Sequence, residues 1–309
     1  MDRRLMLQGA AATAGLMAAR GALAAEADPP FFPGFTRFRV KTSGAEINGV
    51  IGGSGPPILL LHGAPQSHVT WRIIAPRLAA THTVICPDLR GYGDSSKPAD
   101  TADHSSYSKR AMALDQIEVM KSFGFERFPV VGQDRGARVA HRLILDHPKA
   151  VTHALMLDIV PTRYTYSHFS LEFAQAYPHW FNYLRIAPAP ENELKAVNDA
   201  ALARATDQVQ REYLRTQTMP SVLHAMCEDY RASASIDLKW DEEDATRRIS
   251  IPLRVLWAEG GTVDRLFDVL EAWKGYAGRV TGRGVAGSHY LQESSPDAVM
   301  QEIEALLKL

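Results

Sequence analysis

The most informative segment of the chain is Val130-Val131-Gly132-Gln133-Asp134-Arg135-Gly136-Ala137. It begins as a short apolar run, turns at an aspartate with a glycine two residues before and two residues after it, and continues with helical spacing. A buried strand that passes through a tight turn into a helix is the building unit of parallel sheets covered by helices. We predict a strand over residues 129–132 and a helix over residues 135–147.

The same alternation of strands and helices surrounds this segment. An antiparallel hairpin is predicted at its start, and apolar strands then alternate with helices until residue 159. The predicted strands are residues 35–40, 45–52, 57–61, 83–87, 151–159, 253–257 and 279–285, and the predicted helices are residues 71–80, 107–123, 267–276 and 296–307. This order predicts an α/β fold with a mostly parallel central sheet and helices on both faces.

Residues 162–246 break the alternation with an aromatic, helical pattern interrupted by prolines. We interpret this region as an inserted helical cap between two parts of the core, residues 28–161 and 247–309. Ligands are usually enclosed where domains meet, so a pocket is expected between core and cap.

The composition is that of an ordinary globular protein. The chain has 309 residues with a formal net charge of -1, which suits one domain with an insertion. Nucleic acid and anionic membranes are recognised by basic surfaces, so this balance argues against both as main partners. Attraction for a charged ligand must then be local to a site.

The first residues differ in character from the rest. Arg3-Arg4 precede a mild apolar run over residues 5–19, and small residues follow at 22–25. This is the layout of a signal peptide, and the paired arginines resemble a twin-arginine export signal. We therefore expect residues 1–27 to be a signal and the mature chain to be periplasmic, without stable membrane association after export.

Two points about this signal stay open. Cleavage after Ala24 and cleavage after Ala27 fit the pattern equally well. A membrane anchor is disfavoured because the run is shorter than the roughly 20 apolar residues that cross a bilayer, and a cytosolic tail is the remaining alternative. The two cysteines, Cys86 and Cys227, are expected to be buried free thiols, although an oxidising compartment leaves a disulfide open.

Asp134 has the position of a nucleophile. A strand, a glycine turn and a helix form the nucleophile elbow, in which serine is the usual central residue. Taken alone, an aspartate here is more often a helix N-cap, but the flanking glycines favour the elbow. A carboxylate that attacks saturated carbon leaves an ester whose carbonyl belongs to the enzyme, and a second attack there regenerates Asp134. Dehalogenation and epoxide opening are reactions of this kind.

The second step needs a base, an acid that orients it and oxyanion donors. His289 follows the last predicted strand, where the catalytic histidine of such folds lies. Asp158 and Asp264 each follow a predicted strand, and we favour Asp158 as its partner. The backbone N–H groups of Ala64 and Arg135 are the expected oxyanion donors. His62 beside Ala64 is interpreted as structural.

Arg135 and Arg138 lie three residues apart at a helix start and project toward one face. Exposed pairs of this kind usually serve only solubility. Beside an anionic nucleophile they have a use, because two carboxylates about 4 Å apart repel by roughly 4 kcal/mol at an effective dielectric near 20. Arginine forks neutralise and orient a substrate carboxylate, so an acidic substrate is predicted.

The sequence resembles the fluoroacetate (haloacetate) dehalogenase family of α/β-hydrolases from about residue 35 to the C-terminus. The His-Gly-x-Pro turn and the aspartate elbow are also found in epoxide hydrolases and haloalkane dehalogenases, whereas the other segments are more specific. The similar segments are His62-Gly63-Ala64-Pro65-Gln66, Asp134-Arg135-Gly136-Ala137-Arg138, Leu157-Asp158-Ile159-Val160-Pro161-Thr162, His179-Trp180, Met226-Cys227-Glu228-Asp229-Tyr230-Arg231-Ala232 and Gly287-Ser288-His289.

This resemblance implies further properties. His179, Trp180 and Tyr230 match the residues that cradle the departing halide, although aromatic residues in a cap are usually mere core. It also implies a cofactor-free and metal-free reaction on a small haloacid, with fluoroacetate as the first candidate, and a homodimer. Relatives that act on neutral haloalkanes or epoxides typically carry tryptophan at the position of Arg135.

Two other functions stay open. An epoxide hydrolase usually needs two cap tyrosines as donors to the epoxide oxygen; Tyr230 is one candidate, and candidates for the second are Tyr164, Tyr166, Tyr177 and Tyr183. A catalytically dead binding module is disfavoured because nucleophile, base and acid are all present.

Overall fold

The structure is a computed structural model that describes residues 29–309. The signal peptide expected over residues 1–27 lies outside the described residues. Within the described part, every helix is too short or too polar to cross a bilayer.

An eight-stranded sheet forms the centre of the core, in the order β1-β2-β4-β3-β5-β6-β7-β8. The first two strands pair antiparallel, β2 also pairs antiparallel with β4, and the remaining neighbours pair parallel. The strands are β1 Phe35–Lys41, β2 Glu46–Gly52, β3 Pro57–Leu61, β4 Thr83–Pro87, β5 Phe128–Gln133, β6 Val151–Leu157, β7 Leu253–Ala258 and β8 Val280–Val285. The predicted mostly parallel α/β sheet is confirmed.

Each central strand is apolar on both faces because both faces are covered. In β3, Leu59 and Leu61 point into one hydrophobic cluster, whereas Ile58 and Leu60 point into the other. The same alternation holds in β5, where Val130 and Val131 belong to opposite clusters. This two-sided burial explains why the strands read as continuous apolar runs.

Helices cover the two faces of the sheet. The core helices are α1 Ala75–Leu78, α2 Lys109–Ser122, α3 Arg135–Asp146, α11 Thr262–Leu266, α12 Val269–Lys274, α13 Leu291–Ser294 and α14 Pro296–Leu306. The helix predicted over residues 71–80 is shorter than expected, because Pro76 is tolerated only in the first turn and the helix therefore begins at Ala75. A separate 3₁₀ turn, His68–Trp71, precedes it.

Between β6 and β7 the described chain contains seven helices and no strand. They are α4 Thr162–Ser167, α5 Leu171–Ala176, α6 His179–Asn182, α7 Ala189–Arg204, α8 Gln208–Gln217, α9 Pro220–Ser233 and α10 Ile236–Glu243. We use the name cap for this helical segment. Cys86 and Cys227 are both buried and free.

Candidate active site

Asp134 stands at the turn between β5 and α3 with φ 46° and ψ -115°, in a region that L-residues rarely adopt. The flanking glycines make this turn compatible with close packing. A Cβ atom on Gly136 would lie 2.4 Å from the carbonyl oxygens of Leu61 and His62, and one on Gly132 would lie 2.6 Å from Cα of Ala137. The glycine spacing therefore lets the start of α3 pack directly against the end of β3, and it fixes Asp134 above the sheet.

One oxygen of the Asp134 carboxylate is held by the backbone. The N–H of Ala64 donates to Oδ1 of Asp134 at 3.0 Å. Gly63 allows this approach, because a Cβ atom there would lie 2.7 Å from Cβ of Asp134. His62 supports the same turn: it accepts from the N–H of Leu89 at Nε2 and contacts the carbonyl of Gly63 through Nδ1. The other oxygen, Oδ2, lies 3.7 Å from Nε2 of His289.

His289 bridges two carboxylates. Its Nδ1 lies 2.6 Å from Oδ2 of Asp158, and its Nε2 lies 3.7 Å from Oδ2 of Asp134. Asp158 is fixed in turn because its Oδ1 accepts from the N–H of Ala258 at 2.8 Å. Asp264 instead accepts from Nε1 of Trp257 and the N–H of Gly260. Of the two candidates, the structure brings Asp158 to His289.

These charges shift the protonation of the pair. Burial alone raises the pKa of a carboxyl group and lowers that of an imidazole. Contact with His289 and the nearby arginines outweighs burial at Asp134, and its pKa is held well below its usual range. Contact with Asp134 and Asp158 likewise raises the pKa of His289 well above its usual range. The resting pair is therefore a carboxylate and an imidazolium.

The two arginines are both buried but occupy different places. Arg138 lines the cavity beside Asp134, where its Nη1 donates to the carbonyl of Val160 at 3.2 Å and to Oγ1 of Thr162 at 3.0 Å. Arg135 is absent from the cavity lining, and its guanidinium lies 3.4 Å from the ring centroid of Tyr230.

Polar groups behind Tyr230 hold Arg135 in that place. Its Nη1 donates to Oγ of Ser233 at 2.6 Å and pairs with Oδ1 of Asp229 at 3.5 Å. Asp229 also accepts from Lys109 and from the hydroxyl of Tyr92. This buried network was not predicted from the sequence, although Asp229 and Ser233 lie four residues apart on α9, which places them on one helix face.

Core and cap enclose a cavity of about 220 Å³. This is smaller than the roughly 300–1,000 Å³ typical of sites for drug-sized ligands. Its lining combines the catalytic candidates with aromatic side chains of the cap. The predicted site residues in the lining are Ala64, Asp134, Arg138, Asp158, His179, Trp180, Tyr230 and His289. A small polar molecule is the ligand that such a space fits.

The three proposed halide donors lie together on the cap side. The ring centroid of Tyr230 is 5.7 Å from that of His179 and 6.0 Å from that of Trp180. Burial lowers the pKa of His179 to about 4 and raises the pKa of Tyr230 well above its usual range. At neutral pH the imidazole is therefore uncharged and the phenol protonated, so each keeps one hydrogen to donate.

Further tyrosines complete the lining. Tyr177, Tyr183 and Tyr290 all face the cavity, and the rings of Tyr183 and Tyr230 are 5.0 Å apart between centroids. From the sequence, Tyr177 and Tyr183 were only two of four candidates for a second tyrosine donor. Tyr290 was not singled out, although its place directly after His289 was a signal for it.

The chain matches a family described as alpha/beta hydrolase fold over residues 56–296. A fluoroacetate dehalogenase from Burkholderia sp is 41% identical over 278 residues, which cover 86% of this chain and 91% of that protein. The chain belongs to the haloacetate dehalogenase family of α/β-hydrolases. Members of this family are enzymes, so the predicted resemblance and enzyme class are confirmed.

Two further proteins are similar to most of this chain. A soluble epoxide hydrolase from Corynebacterium sp. (strain C12) is 30% identical over 287 residues, which cover 86% of this chain and 94% of that protein. The crystal structure of ALR0039 from Nostoc sp PCC 7120 is 47% identical with a TM-score of 0.85, and covers 88% of this chain and 98% of that one.

Proposed function

We propose that the enzyme converts haloacetates, with fluoroacetate as the preferred candidate, to glycolate and halide. The observation that carries the proposal is that Asp134, His289 and Arg138 line one small cavity. Arg138 gives a substrate carboxylate its counter-charge, Asp134 gives the nucleophile, and His289 gives the base for a second step. Kinship with a fluoroacetate dehalogenase supports the same substrate class.

In the first step, Oδ2 of Asp134 attacks the α-carbon and the carbon–halogen bond breaks. Oδ1 is already held by the N–H of Ala64, so Oδ2 is the oxygen free to form the ester. The halide leaves toward the hydrogens of His179, Trp180 and Tyr230. Fluoride is a poor leaving group, and each hydrogen bond donated to it as it becomes charged in the transition state is worth roughly 1.5–3 kcal/mol.

In the second step, water attacks the carbonyl carbon of the Asp134 ester. Nε2 of His289 takes a proton from this water, and the developing oxyanion on Oδ1 stays with the N–H groups of Ala64 and Arg135. Collapse of the tetrahedral intermediate releases the hydroxyacid, which takes Oδ2 with it, and the oxygen of water remains on Asp134.

The charges of Asp134 and His289 determine the order of these two steps. While Asp134 is an anion, it keeps His289 protonated and unable to act as a base. Ester formation removes that negative charge, so the pKa of His289 falls and the imidazole becomes available. The base is thus activated by the first step itself.

The substrate test is fluoride release, measured with an ion-selective electrode, with fluoroacetate, chloroacetate and a neutral haloalkane compared side by side. We expect release from both acids and little from the haloalkane. No fluoride release together with turnover of an epoxide panel would overturn the proposal.

The aspartyl ester is tested separately with His289→Ala. This variant is expected to form the ester and not hydrolyse it, so intact-mass spectrometry after exposure to fluoroacetate shows a carboxymethyl adduct that maps to Asp134. An unmodified mass after prolonged exposure would contradict the two-step scheme.

Epoxide hydrolysis with the same nucleophile is the second candidate. It is favoured by the adjacent, perpendicular rings of Tyr183 and Tyr230 in the cavity lining, which bring two phenol groups to the site. Similarity to an epoxide hydrolase also favours it. The buried cation Arg138 has no counterpart in a neutral epoxide, and for this reason we place the haloacid first.

We further propose export through a twin-arginine signal over residues 1–27, and assembly as a homodimer. Fractionation of cells that produce the full chain, with Arg3-Arg4→Lys-Lys as the comparison, tests the first proposal. A variant that reaches the periplasm as well as the natural sequence would contradict it.

Sedimentation of the mature chain tests assembly as a homodimer, and a monomer at assay concentration would contradict it.

A further inference from the structure

A second cluster of ligating side chains lies outside the cavity, where a core loop meets the cap. Asp100 belongs to the loop that follows β4, while His224 and Glu228 lie one turn apart on α9. One ligand atom from each residue lies within 4.8 Å of the others. None of the three takes part in the reaction proposed above.

The geometry of the cluster suits a small cation. Nε2 of His224 lies 3.7 Å from Oδ2 of Asp100. A tetrahedral zinc ion with bonds of about 2.0–2.2 Å places its ligand atoms roughly 3.3–3.6 Å apart. Small side-chain rotations would therefore bring these atoms into its coordination sphere, and water would complete it.

The other nitrogen of His224 has a partner of the kind that metal-bound histidines use. Its Nδ1 lies 3.3 Å from Oε1 of Glu191 on α7. A carboxylate that accepts a hydrogen bond from Nδ1–H fixes the orientation of the ring and leaves a lone pair on Nε2 for the metal. This hydrogen bond also makes the imidazole a more basic ligand. The contact with Glu191 favours the tautomer of His224 in which Nε2 is free to bind a metal.

Charge and burial also point to a missing cation. Glu191 and Glu228 share Arg231. Nδ1 of His104 lies 2.6 Å from Oε2 of Glu228, so His104 would have to turn aside or join the ligands when an ion binds. In the described part of the chain, Asp100 has only His224 within ion-pair distance. The side chains of Glu191 and Glu228 are only 8% and 3% exposed. Among residues 29–309, Oε2 of Glu191 is buried without a hydrogen-bond partner. Buried carboxylates are costly unless they are neutralised.

We propose that Asp100, His224 and Glu228 bind a divalent transition metal of the zinc class. One imidazole with carboxylates suits Zn²⁺ better than Mg²⁺, which prefers octahedral oxygen ligands and keeps its waters. Such an ion joins the core loop to α9 of the cap. Glu228 lies two residues before Tyr230, so the ion also steadies the helix that carries this donor.

The test is isothermal titration calorimetry of the untagged enzyme without residues 1–27 as Zn²⁺ is added. The melting temperature is measured in parallel with Zn²⁺ and with a chelator. We expect one ion per chain at this site and a higher melting temperature with the metal. His224→Gln and Asp100→Asn are expected to weaken binding by at least about 10-fold to 100-fold. Asp100 is an exposed loop residue, so its variant keeps the fold.

The matched controls are His153→Gln and Asp297→Asn, which replace the same residue types far from the cluster and should bind as the natural enzyme does. Co²⁺ in place of Zn²⁺ gives an independent readout, since imidazole ligation alters its visible spectrum and His224→Gln should remove that change. Absence of binding, or equal affinity and spectra in both ligand variants, would overturn the proposal. Because these readouts do not use fluoride release, the outcome is independent of the dehalogenase assignment.

Discussion

The core and the cap both contribute side chains to the cavity, but they hold them differently. In the core, Asp134 and Asp158 both have positive φ angles, and the backbone N–H groups of Ala64 and Ala258 bind their carboxylates. In the cap, His179 and Trp180 lie on a four-residue helix among other aromatic rings. Under the proposed function, the core fixes the reacting atoms, whereas the cap shapes the space around the leaving halide.

This difference predicts how substitutions will separate the two regions. Changes in the core should affect every substrate, while changes in the cap should depend on the halogen.

The largest effect is expected at the nucleophile. Asp134→Asn should lower turnover of every haloacid by roughly 10⁴-fold or more, because the amide cannot attack saturated carbon. Steady-state fluoride and chloride release measure it. Asp264→Asn is the matched control, since Asp264 contacts Trp257 and not His289. A comparable loss of turnover in Asp264→Asn would mean that Asp264, and not Asp158, is the acid that orients His289.

The next effect is expected at Arg138. Arg138→Met should lower kcat/KM for haloacids by roughly 10²-fold, equivalent to about 3 kcal/mol for a lost charged hydrogen-bond pair. Arg138→Lys keeps the charge without the fork and should lose less. Arg135→Met makes the comparison sharper, because Arg135 faces Tyr230 in the structure. An equal loss in both methionine variants would show that Arg135 also turns toward the substrate.

A smaller effect is expected for a single donor in the cap. Trp180→Phe retains the ring and removes the N–H, so fluoroacetate turnover should fall by roughly 10-fold and chloroacetate turnover by less. Trp240→Phe, which removes the same group at a distant site, should leave both rates unchanged. Equal losses for the two halogens in Trp180→Phe would argue that the ring acts only by packing.

The smallest effect concerns pH. The ester step needs ionised Asp134, whose pKa is far below the neutral range, so it should not change between about pH 8 and pH 5. Hydrolysis needs neutral His289 and is lost as the pH falls through the histidine pKa of the ester form. Quenched wild-type enzyme should therefore carry a few-fold more adduct at low pH, as measured by mass spectrometry. A constant adduct fraction would contradict activation of the base by the first step.

Much of the core was predictable from sequence because its strands and turns depend on residues that are close together in the chain. The glycine spacing around Asp134 indicated the elbow, and the apolar runs gave the strands to within two residues. His289 was found by its place after the last strand. Asp158 and Asp264 were not separable in this way, because their relation to His289 depends on three-dimensional packing.

The cap was less predictable because its contacts are not periodic. Its helical character was predicted, but the packing of the core residue Arg135 against Tyr230 of the cap was not. That orientation depends on Asp229 and Ser233, which lie about a hundred residues away in the chain. The cavity-facing tyrosines were likewise undetermined, since an aromatic cap sequence does not say which rings face the core.

The hydrogen bond from Ala64 to Oδ1 makes the two oxygens of Asp134 chemically unequal before any substrate arrives. In the proposed two-step reaction, the oxygen that leaves with the product is therefore one from the Asp134 carboxylate, and an oxygen from water replaces it. In ¹⁸O-labelled water, a single turnover should yield unlabelled glycolate and a labelled aspartate. After the first turnover, each product molecule would thus carry an oxygen that Asp134 acquired from water in the preceding turnover.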